Sequence, residues 1–438
     1  RFNWSSPFII SSNNSKRVFF GSNHLFQSDD RGDNWKIISP DLTTNDKSLR
    51  NTSDGGGLTN SNTGGENHFT IITISDTPID KDVIWVGTDD GNVQVTIDNG
   101  DTWDNVRPNI VGVPQKTWVS RVEASKHKKG RAYVSFDNHR FDDNKPYVFM
   151  TDDYGKSWKN ITSDLPKDYS VYVIKEDYID ENLLFVGTEK SVYFTINQGK
   201  IWEKLGSNLP SVAIHDLVIH PRDGDLIAGT HGKSIWILDD ISPLRNLNFN
   251  SNKIIPSRES TKWIKINTGR KQPYFEFRGE NPPYGAIINF YSKTEIKGKI
   301  TITNSSESNL YKRDISLNNG LNRFIWPFEL DRNSDELINY KTKFINLVDE
   351  LKDVVIDKKN LKQYDFKNLN SFNEINKLRK SFLDDYGMYA NGKKIFGDKL
   401  YESYVVKPGK YKLFLELENG ESFSEIISVR EDPLKTSN

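Results

Sequence analysis

The chain has 438 residues, a formal net charge of −1 and no cysteine. Its length allows two or three domains, and its balanced charge gives no overall attraction to nucleic acid or to an anionic membrane. The lack of cysteine excludes disulfides, thiol chemistry and cysteine-bound metal. No apolar run approaches the ~18 residues that a membrane-spanning helix needs.

From the N-terminus, the first feature is an eight-residue pattern that occurs four times, Ser/Thr-x-Asp-x-Gly-x-x-Trp. It covers residues 28–35, 96–103, 151–158 and 195–202, and Asn replaces Asp in the last copy. We expect the Asp or Asn to cap backbone N–H groups in a hairpin turn and the Gly to adopt a positive φ. The Trp should open the returning strand and pack under the turn. The twelve residues with these expected structural roles are Asp30, Gly32, Trp35, Asp98, Gly100, Trp103, Asp153, Gly155, Trp158, Asn197, Gly199 and Trp202.

Flanking sequence repeats with the pattern. Apolar runs that end in Gly-Ser or Gly-Thr precede three copies, at residues 18–22, 83–88 and 183–188, and a fifth unit at 226–239 lacks the turn pattern. A repeat of roughly 40–50 residues is typical of a four-stranded propeller blade. We therefore predict an all-β, multibladed β-propeller over residues 1–248. About five blades are visible, and because the first begins almost at once, near Phe8, we expect further upstream blades in a parent chain.

The second half has a different pattern. Alternating strands around residues 285–291, 298–303, 322–326, 409–417 and 422–429 suggest an immunoglobulin- or fibronectin-like β-sandwich over 249–438. Helical spacing of apolar residues predicts a small helical insertion around 331–398.

The turn patterns lie at one rim of a propeller, so candidate ligand residues are expected at the opposite face, where inner strands begin and second strands connect to third strands. This position selects the candidate ligand-binding residues His68, Trp118, Arg121, His139, Arg140, Tyr172, His215 and His231. The candidate catalytic carboxylates are Glu66, Asp142, Asp143 and Asp216. The alternative is a solvated polar channel that holds no ligand.

Two other functional readings carry less weight. A repeated Asp pattern could bind calcium or act in catalysis, but Asn197 favours backbone capping, which tolerates an amide. Among the seven histidines, five lie at or beside the expected ligand face, the fifth being His220, yet no metal-ligand spacing is present. We expect no cofactor and no metal. The long Gly/Asn/Ser/Thr-rich stretch 41–65 is either a lid over the ligand face or a flexible connection.

The repeated pattern resembles the Asp-box (BNR repeat) of sialidases, two-propeller xyloglucan hydrolases and sortilin-type receptors. The chain resembles most the bacterial exported Asp-box propeller proteins, which are sortilin-like and often labelled glycosyl hydrolases. The matching phrases are residues 87–95, 117–125, 145–147, 215–221, 229–236 and 239–243, with 279–285 beyond them. The resemblance covers essentially residues 1–250, and it implies an extracytoplasmic location and a larger parent chain.

The resemblance leaves the activity open. A sialidase needs three arginines, a Tyr–Glu nucleophile pair and an Asp acid, and only Arg121 and Arg140 fit the expected face. A xyloglucan hydrolase needs two opposed Asp in a cleft between two propellers. Because a fold does not convey chemistry, we expect a binding module for a glycan, peptide or protein. The alternative is a glycoside hydrolase, sialidase-like or xyloglucan-hydrolase-like, that uses paired carboxylates.

Overall fold

The computed structural model describes residues 1–46, 67–206, 208–245, 247, 251–256, 258–263, 283–331, 334 and 406–433, with isolated positions between 338 and 394. It divides into two compact units, Arg1–Arg245 and Asn246–Asn438. The proposed lid beyond residue 46, the candidate catalytic Glu66 and most of the predicted helical insertion lie outside the described residues.

The described part of the first unit contains five antiparallel sheets, each built from consecutive strands. Blade 1 comprises β1 (Phe8–Ile10), β2 (Val18–Gly21), β3 (Leu25–Ser28) and β4 (Lys36–Ile37). Blade 2 comprises β5 (Ile71–Thr77), β6 (Asp80–Thr88), β7 (Val93–Thr96) and β8 (Asp104–Asn105). Blade 3 comprises β9 (Trp118–Ala124), β10 (Ala132–Asn138), β11 (Asp143–Thr151) and β12 (Lys159–Asn160).

The last two blades differ in strand number. Blade 4 comprises β13 (Val171–Glu176), β14 (Leu184–Thr188), β15 (Val192–Thr195) and β16 (Glu203–Lys204). Blade 5 has three described strands, β17 (Ile214–Ile219), β18 (Leu226–Thr230) and β19 (Ile235–Leu238). Short 3-10 helices span Arg107–Asn109 and His139–Phe141, and α1 spans Ser242–Arg245. The prediction of an all-β fold made of propeller blades is confirmed.

Blades 2 to 4 use both sheet faces for packing on neighbouring blades, because side chains alternate along a strand. In blade 2, Val86 lies in one apolar cluster with Phe19 of blade 1, whereas Trp85 lies in another with Val122 of blade 3. The apolar runs recognised in the sequence therefore form the contacts between blades.

The second unit contains ten described strands. They are β20 (Lys253–Ile255), β21 (Ser260–Lys262), β22 (Ala286–Ser292), β23 (Ile296–Thr303), β24 (Asn309–Leu317), β25 (Gly320–Trp326), β26 (Tyr389–Ala390), β27 (Lys393–Lys394), β28 (Gly409–Leu417) and β29 (Ser422–Glu431). The sheets β20-β22-β25 and β21-β29-β28-β23-β24 share one apolar core, in which the buried Trp326 packs on Tyr411. The immunoglobulin-like assignment and the exact domain limits stay predictions.

In the part of the chain that the structure describes, no helix combines the length and the apolar composition required to cross a bilayer.

Candidate functional site

The Asp-boxes form one rim of the propeller unit. In each copy the Asp or Asn side chain accepts hydrogen bonds from the hydroxyl two residues earlier and from the backbone N–H four residues later. Hydrogen bonds from the Ser28 hydroxyl and from Asn34 lower the pKa of Asp30 to about 2. Asn197 makes the same two bonds through its amide oxygen, at 2.8 Å from Thr195 Oγ1 and 3.0 Å from Ile201 N. The geometry is that of a turn cap.

The opposite end of the blades brings the eight candidate ligand residues into one chain of contacts. Inner strands β9, β13 and β17 begin at this end and supply Trp118, Tyr172 and His215. The connections after β10 and β18 supply His139 and His231. Because neighbouring strands are antiparallel, the start of a first strand and the end of a second strand meet at the same sheet edge.

One half of this site is built around Trp118. The Arg140 guanidinium carbon lies 3.6 Å from the Trp118 ring centroid, a close cation–π contact. The His68 ring stacks on Trp118 with centroids 6.1 Å apart. His68 Nδ1 lies 3.4 Å from the buried Asp89 carboxylate, within ion-pair distance but without a hydrogen bond. Within the described residues, Trp118 Nε1 is also buried without an acceptor.

Asp137 joins the two halves of the site. Its buried carboxylate lies 2.7 Å from His139 Nδ1 and accepts a hydrogen bond of 3.1 Å from Arg140 Nη1. His139 in turn meets the Tyr172 ring edge-on, with centroids 6.1 Å apart. Asp137 therefore holds the Arg140 guanidinium on Trp118 and the His139 imidazole beside Tyr172.

The second half is a row of three rings, which we call the ring stack: Tyr172, His215 and His231. Tyr172 and His215 are nearly parallel, with an interplanar angle of 11° and centroids 4.5 Å apart, and His231 follows at 5.2 Å. The Tyr172 hydroxyl donates to the Glu189 carboxylate. Both histidines are exposed, so the stack presents ring faces and edges to solvent.

Arg121 supports the ring stack from inner strand β9. Its Nη2 donates to Asp216 Oδ1 at 2.9 Å and to the His215 carbonyl at 3.3 Å. These bonds link blade 3 to blade 5 across the inner strands. Arg121 Nε is buried and has no acceptor among the described residues.

Two rings of the stack have shifted pKa values. Burial, the hydrogen bond to Glu189 and the charge of Asp137 raise the pKa of Tyr172 well above its ordinary value. Partial burial of the His215 ring and the neighbouring His231 lower the pKa of His215. At neutral pH the stack therefore presents an uncharged phenol and a neutral imidazole, both able to hydrogen-bond and to pack against an apolar surface.

The candidate catalytic carboxylates that the structure describes lie in different surroundings and make different contacts. Burial acts to raise the pKa of Asp143, but hydrogen bonds from Asn138 and Tyr147 dominate and leave it lowered. Asp142 is exposed in a left-handed conformation at the end of a 3-10 helix. Asp216 is paired with Arg121. Asp137 and Glu189, which were not among the candidate site residues, hold the site together.

The described residues contain no group of three or more histidines and acids arranged to hold a metal ion. The rings of the site offer stacking and hydrogen bonding, and its two arginines are held by carboxylates.

The family model for sortilin (Sortilin-Vps10; sortilin, neurotensin receptor 3) matches residues 146–325 of the chain. The predicted sortilin-like resemblance is confirmed. This match spans blade 4 and blade 5 and continues into the second unit. No curated protein matches the chain.

Solved propeller structures share only distant likeness with the chain. The GH74 xyloglucanase from Xanthomonas campestris has 17% identity and a TM-score of 0.38, covering 52% of this chain and 35% of the enzyme. An ancestral GH74 enzyme has 13% identity and a TM-score of 0.41, covering 70% and 38%. YCF48 bound to D1 peptide has 20% identity and a TM-score of 0.30, covering 39% and 55%. The chain thus spans little more than a third of either GH74 enzyme, and none of these values supports a transfer of activity.

Proposed function

We propose that the propeller unit is an extracytoplasmic binding module whose ligand lies on the ring stack and the adjoining Arg140–Trp118 pair. The observation that carries this proposal is the row of Tyr172, His215 and His231, whose two histidines are exposed, beside buried donors that have no acceptor among the described residues. Flat rings pack against the apolar face of a sugar or against a peptide side chain, and fixed polar groups then orient the ligand.

The chemistry of the site favours a glycan or a peptide with acceptor groups. The two arginines and the indole N–H are donors, and the nearby carboxylates are already paired with them or with Tyr172. An acceptor-rich ligand, such as a sugar carrying a carboxylate or a peptide C-terminus, would complete their hydrogen bonding. A protein partner remains the broader form of the same proposal. The exported location rests on the family resemblance, and the expected upstream blades stay a prediction.

A glycoside hydrolase is the second candidate, and one contact favours it. The Tyr172 hydroxyl donates a hydrogen bond to Glu189, a Tyr–Glu contact of the kind that a sialidase needs. Against it, hydrogen bonds from Asn138 and Tyr147 keep the pKa of Asp143 low, and Asp216 is ion-paired with Arg121, so neither carboxyl group is free to act as a general acid.

The test is a glycan array and a peptide library screened with the full chain, together with an assay for released sugar. We expect binding that is lost in Tyr172→Ala and kept in His220→Ala, a matched change outside the ring stack. Binding without sugar release supports the module, whereas release that depends on Glu189 supports the hydrolase. If no ligand binds, or if Tyr172→Ala binds as well as the parent, the proposed site is wrong.

A further inference from the structure

At the ring-stack face, one side-chain hydrogen bond repeats between blades. In blade 2, the Asp89 carboxylate accepts bonds from the Thr70 N–H at 2.8 Å and from the Thr70 hydroxyl at 2.7 Å, and both residues are fully buried. In blade 3, the Asn138 amide oxygen accepts the Thr117 hydroxyl at 3.3 Å. We call this contact the hydroxyl clasp. In it, the residue directly before a blade's first strand donates to the residue at the end of the second strand or directly after it.

The backbone of blade 4 has the same arrangement. Ser170 directly precedes β13, and Glu189 directly follows β14. The Glu189 N–H donates to the Ser170 carbonyl at 3.0 Å. In blade 2 the Asp89 N–H makes the equivalent bond, 3.1 Å, to the Thr70 carbonyl. The first and second strands of the two blades also pair in the same register and share the same bulge. Blade 4 is thus arranged for a clasp between Ser170 and Glu189.

The side chains of blade 4 nevertheless leave this clasp open. Glu189 is one methylene longer than an aspartate, and its carboxylate accepts the hydroxyl of Tyr172 in the ring stack. Ser170 is 1% exposed, and its Oγ has no hydrogen-bond partner among the described residues. A buried hydroxyl without a partner is unfavourable, and it marks a place where an alternative bond can form. Glu189 is therefore placed to serve two hydroxyls and bonds to only one.

Tyr172 is where a ligand would act on this pair. Its ring stacks on the exposed His215, and the single proton of its hydroxyl is donated to Glu189. An acceptor group of a ligand can take that proton only when Glu189 gives it up. Rotation of the Glu189 side chain between staggered rotamers can then bring its carboxylate to Ser170 without a change in the backbone. The bond lost at Tyr172 is replaced by a bond at Ser170.

We propose that Glu189 has two positions. It holds the Tyr172 hydroxyl in the free protein, and it closes the clasp with Ser170 when an acceptor group of a ligand takes that hydroxyl. The exchange gives the Ser170 hydroxyl the partner that it lacks, and it selects ligands that present a carbonyl, carboxylate or sugar oxygen to Tyr172. The ligand step rests on the proposed function, whereas the two positions of Glu189 can be tested without a ligand.

A double-mutant cycle on the full chain, without ligand, tests the two positions. In the parent, Ser170→Ala removes a hydroxyl that has no partner, so we expect the equilibrium constant of urea unfolding to stay unchanged or to decrease. Tyr172→Phe frees Glu189 to bond to Ser170. In that background we expect Ser170→Ala to raise the unfolding constant about tenfold, because it then removes a hydrogen bond to a charged group.

Thr70→Ala is the matched control for the cycle, because the blade 2 clasp is already closed. It should raise the unfolding constant by the same factor in the parent and in the Tyr172→Phe chain. A crystal structure of the Tyr172→Phe chain should show the Glu189 carboxylate within hydrogen-bond distance of Ser170 Oγ. The proposal is overturned if Ser170→Ala has the same effect in both backgrounds, or if Glu189 stays turned away from Ser170 in that structure.

The ligand step is measured with the glycan or peptide that the parent chain retains most tightly on the array. Ser170→Ala should weaken its binding about fivefold, although Ser170 is buried beneath the site. Ser191→Ala, which removes another buried hydroxyl of blade 4 that has no partner among the described residues, is the matched control and should bind as the parent does.

The two binding variants separate the failure of this inference from the failure of the proposed function. Unchanged binding of the Ser170→Ala chain would overturn the ligand step, even if the cycle shows coupling. An array on which the parent retains nothing would refute the proposed function, and the cycle would still decide whether Glu189 has two positions.

Discussion

The Asp-box rim and the ring-stack face belong to the same blades but follow opposite rules. At the rim, four blades repeat one set of hydrogen bonds, and each Asp or Asn oxygen is fully used by its own turn. At the other face the inner strands of blades 3, 4 and 5 contribute different residues, Trp118, Tyr172 and His215, and the buried donors of Trp118 and Arg121 have no acceptor among the described residues. The comparison indicates that the residues repeated in every blade serve folding. The residues that differ between blades are the better candidates for function.

The largest expected effect tests whether a rim Trp acts through the blade before it. Trp202→Ala removes a buried indole and its hydrogen bond to the Ile161 carbonyl, so we expect a loss of about 3–5 kcal/mol in the free energy of unfolding. Trp35→Ala, in blade 1, should cost about 1 kcal/mol or less, because Trp35 is 40% exposed. Urea unfolding of both variants measures this. Equal losses would show that the Trp acts within its own turn.

The next effect concerns the rim glycines. Gly199 has φ 78° and lies against Ile161, so Gly199→Ala combines backbone strain with an overlap, and we expect a cost of about 2–4 kcal/mol. Gly32 has φ 103°, and among the described residues only Trp35 of its own blade lies near it, so Gly32→Ala should cost about 1–2 kcal/mol from strain alone. Thermal unfolding compares the pair. A Gly32→Ala variant as unstable as Gly199→Ala would contradict the assignment of the extra cost to blade packing.

A smaller stability effect is expected at the ring-stack face. His215 is exposed, so His215→Ala should change the free energy of unfolding by about 0.5 kcal/mol or less. The same variant should weaken a ligand found by the array about tenfold, because it removes the centre of the stack. Titration of the ligand against the parent and the variant checks this. A variant that binds normally would place the ligand elsewhere.

The smallest effect at neutral pH is expected from Asp98→Asn, because Asn197 already performs the capping role. Hydrogen bonds from Thr102 and Thr96 lower the pKa of Asp98 in the folded chain. A lowered folded pKa means that this carboxylate stabilises the fold above its unfolded pKa and that the contribution is lost as the pH falls through the folded pKa. We therefore expect Asp98→Asn to make stability less dependent on pH in the acid range.

Unfolding curves at neutral and acid pH measure this dependence, with Asn197→Asp as the reverse control. A variant that is strongly destabilised at neutral pH would show that the charge of Asp98, and not its capping geometry, matters at the rim.

Much of the fold was predictable because, within a blade, each strand pairs with a strand that is close to it in the sequence. The apolar run recognised at 83–88 lies in β6, Asp80–Thr88, and the run at 183–188 contains β14, Leu184–Thr188. Each strand pairs with the next along the chain, so periodicity and turn residues suffice to place it. The sequence predicted the packing of the Asp-box Trp only in part, because it placed the ring under its own turn and not against another blade. Trp103 and Trp202 reach the preceding blade, which depends on how two sheets stack.

The sequence predicted which face holds the site, but it did not predict which residues of the site contact one another. The rule that inner strands begin opposite the Asp-boxes selected Tyr172 and His215, which are in contact. It did not select Asp137 or Glu189 as anchors, because the sequence shows which residues reach the face but not which of them pair. His139 and Arg140 follow Asp137 so closely that their shared carboxylate offered a signal, whereas Glu189 reaches Tyr172 across 17 residues.

By itself, the sequence determined the class of fold, the blade repeat and the rim at which the Asp-boxes lie, because those features arise from turns and strands close together in the chain. Only the tertiary structure decided which side chains meet at the ring stack and which Asp-box tryptophans reach another blade. Arg121 and Asp216 are 95 residues apart, and Trp202 and Ile161 are 41 apart. Such contacts depend on the angle between stacked sheets, and no local pattern of residues encodes that angle.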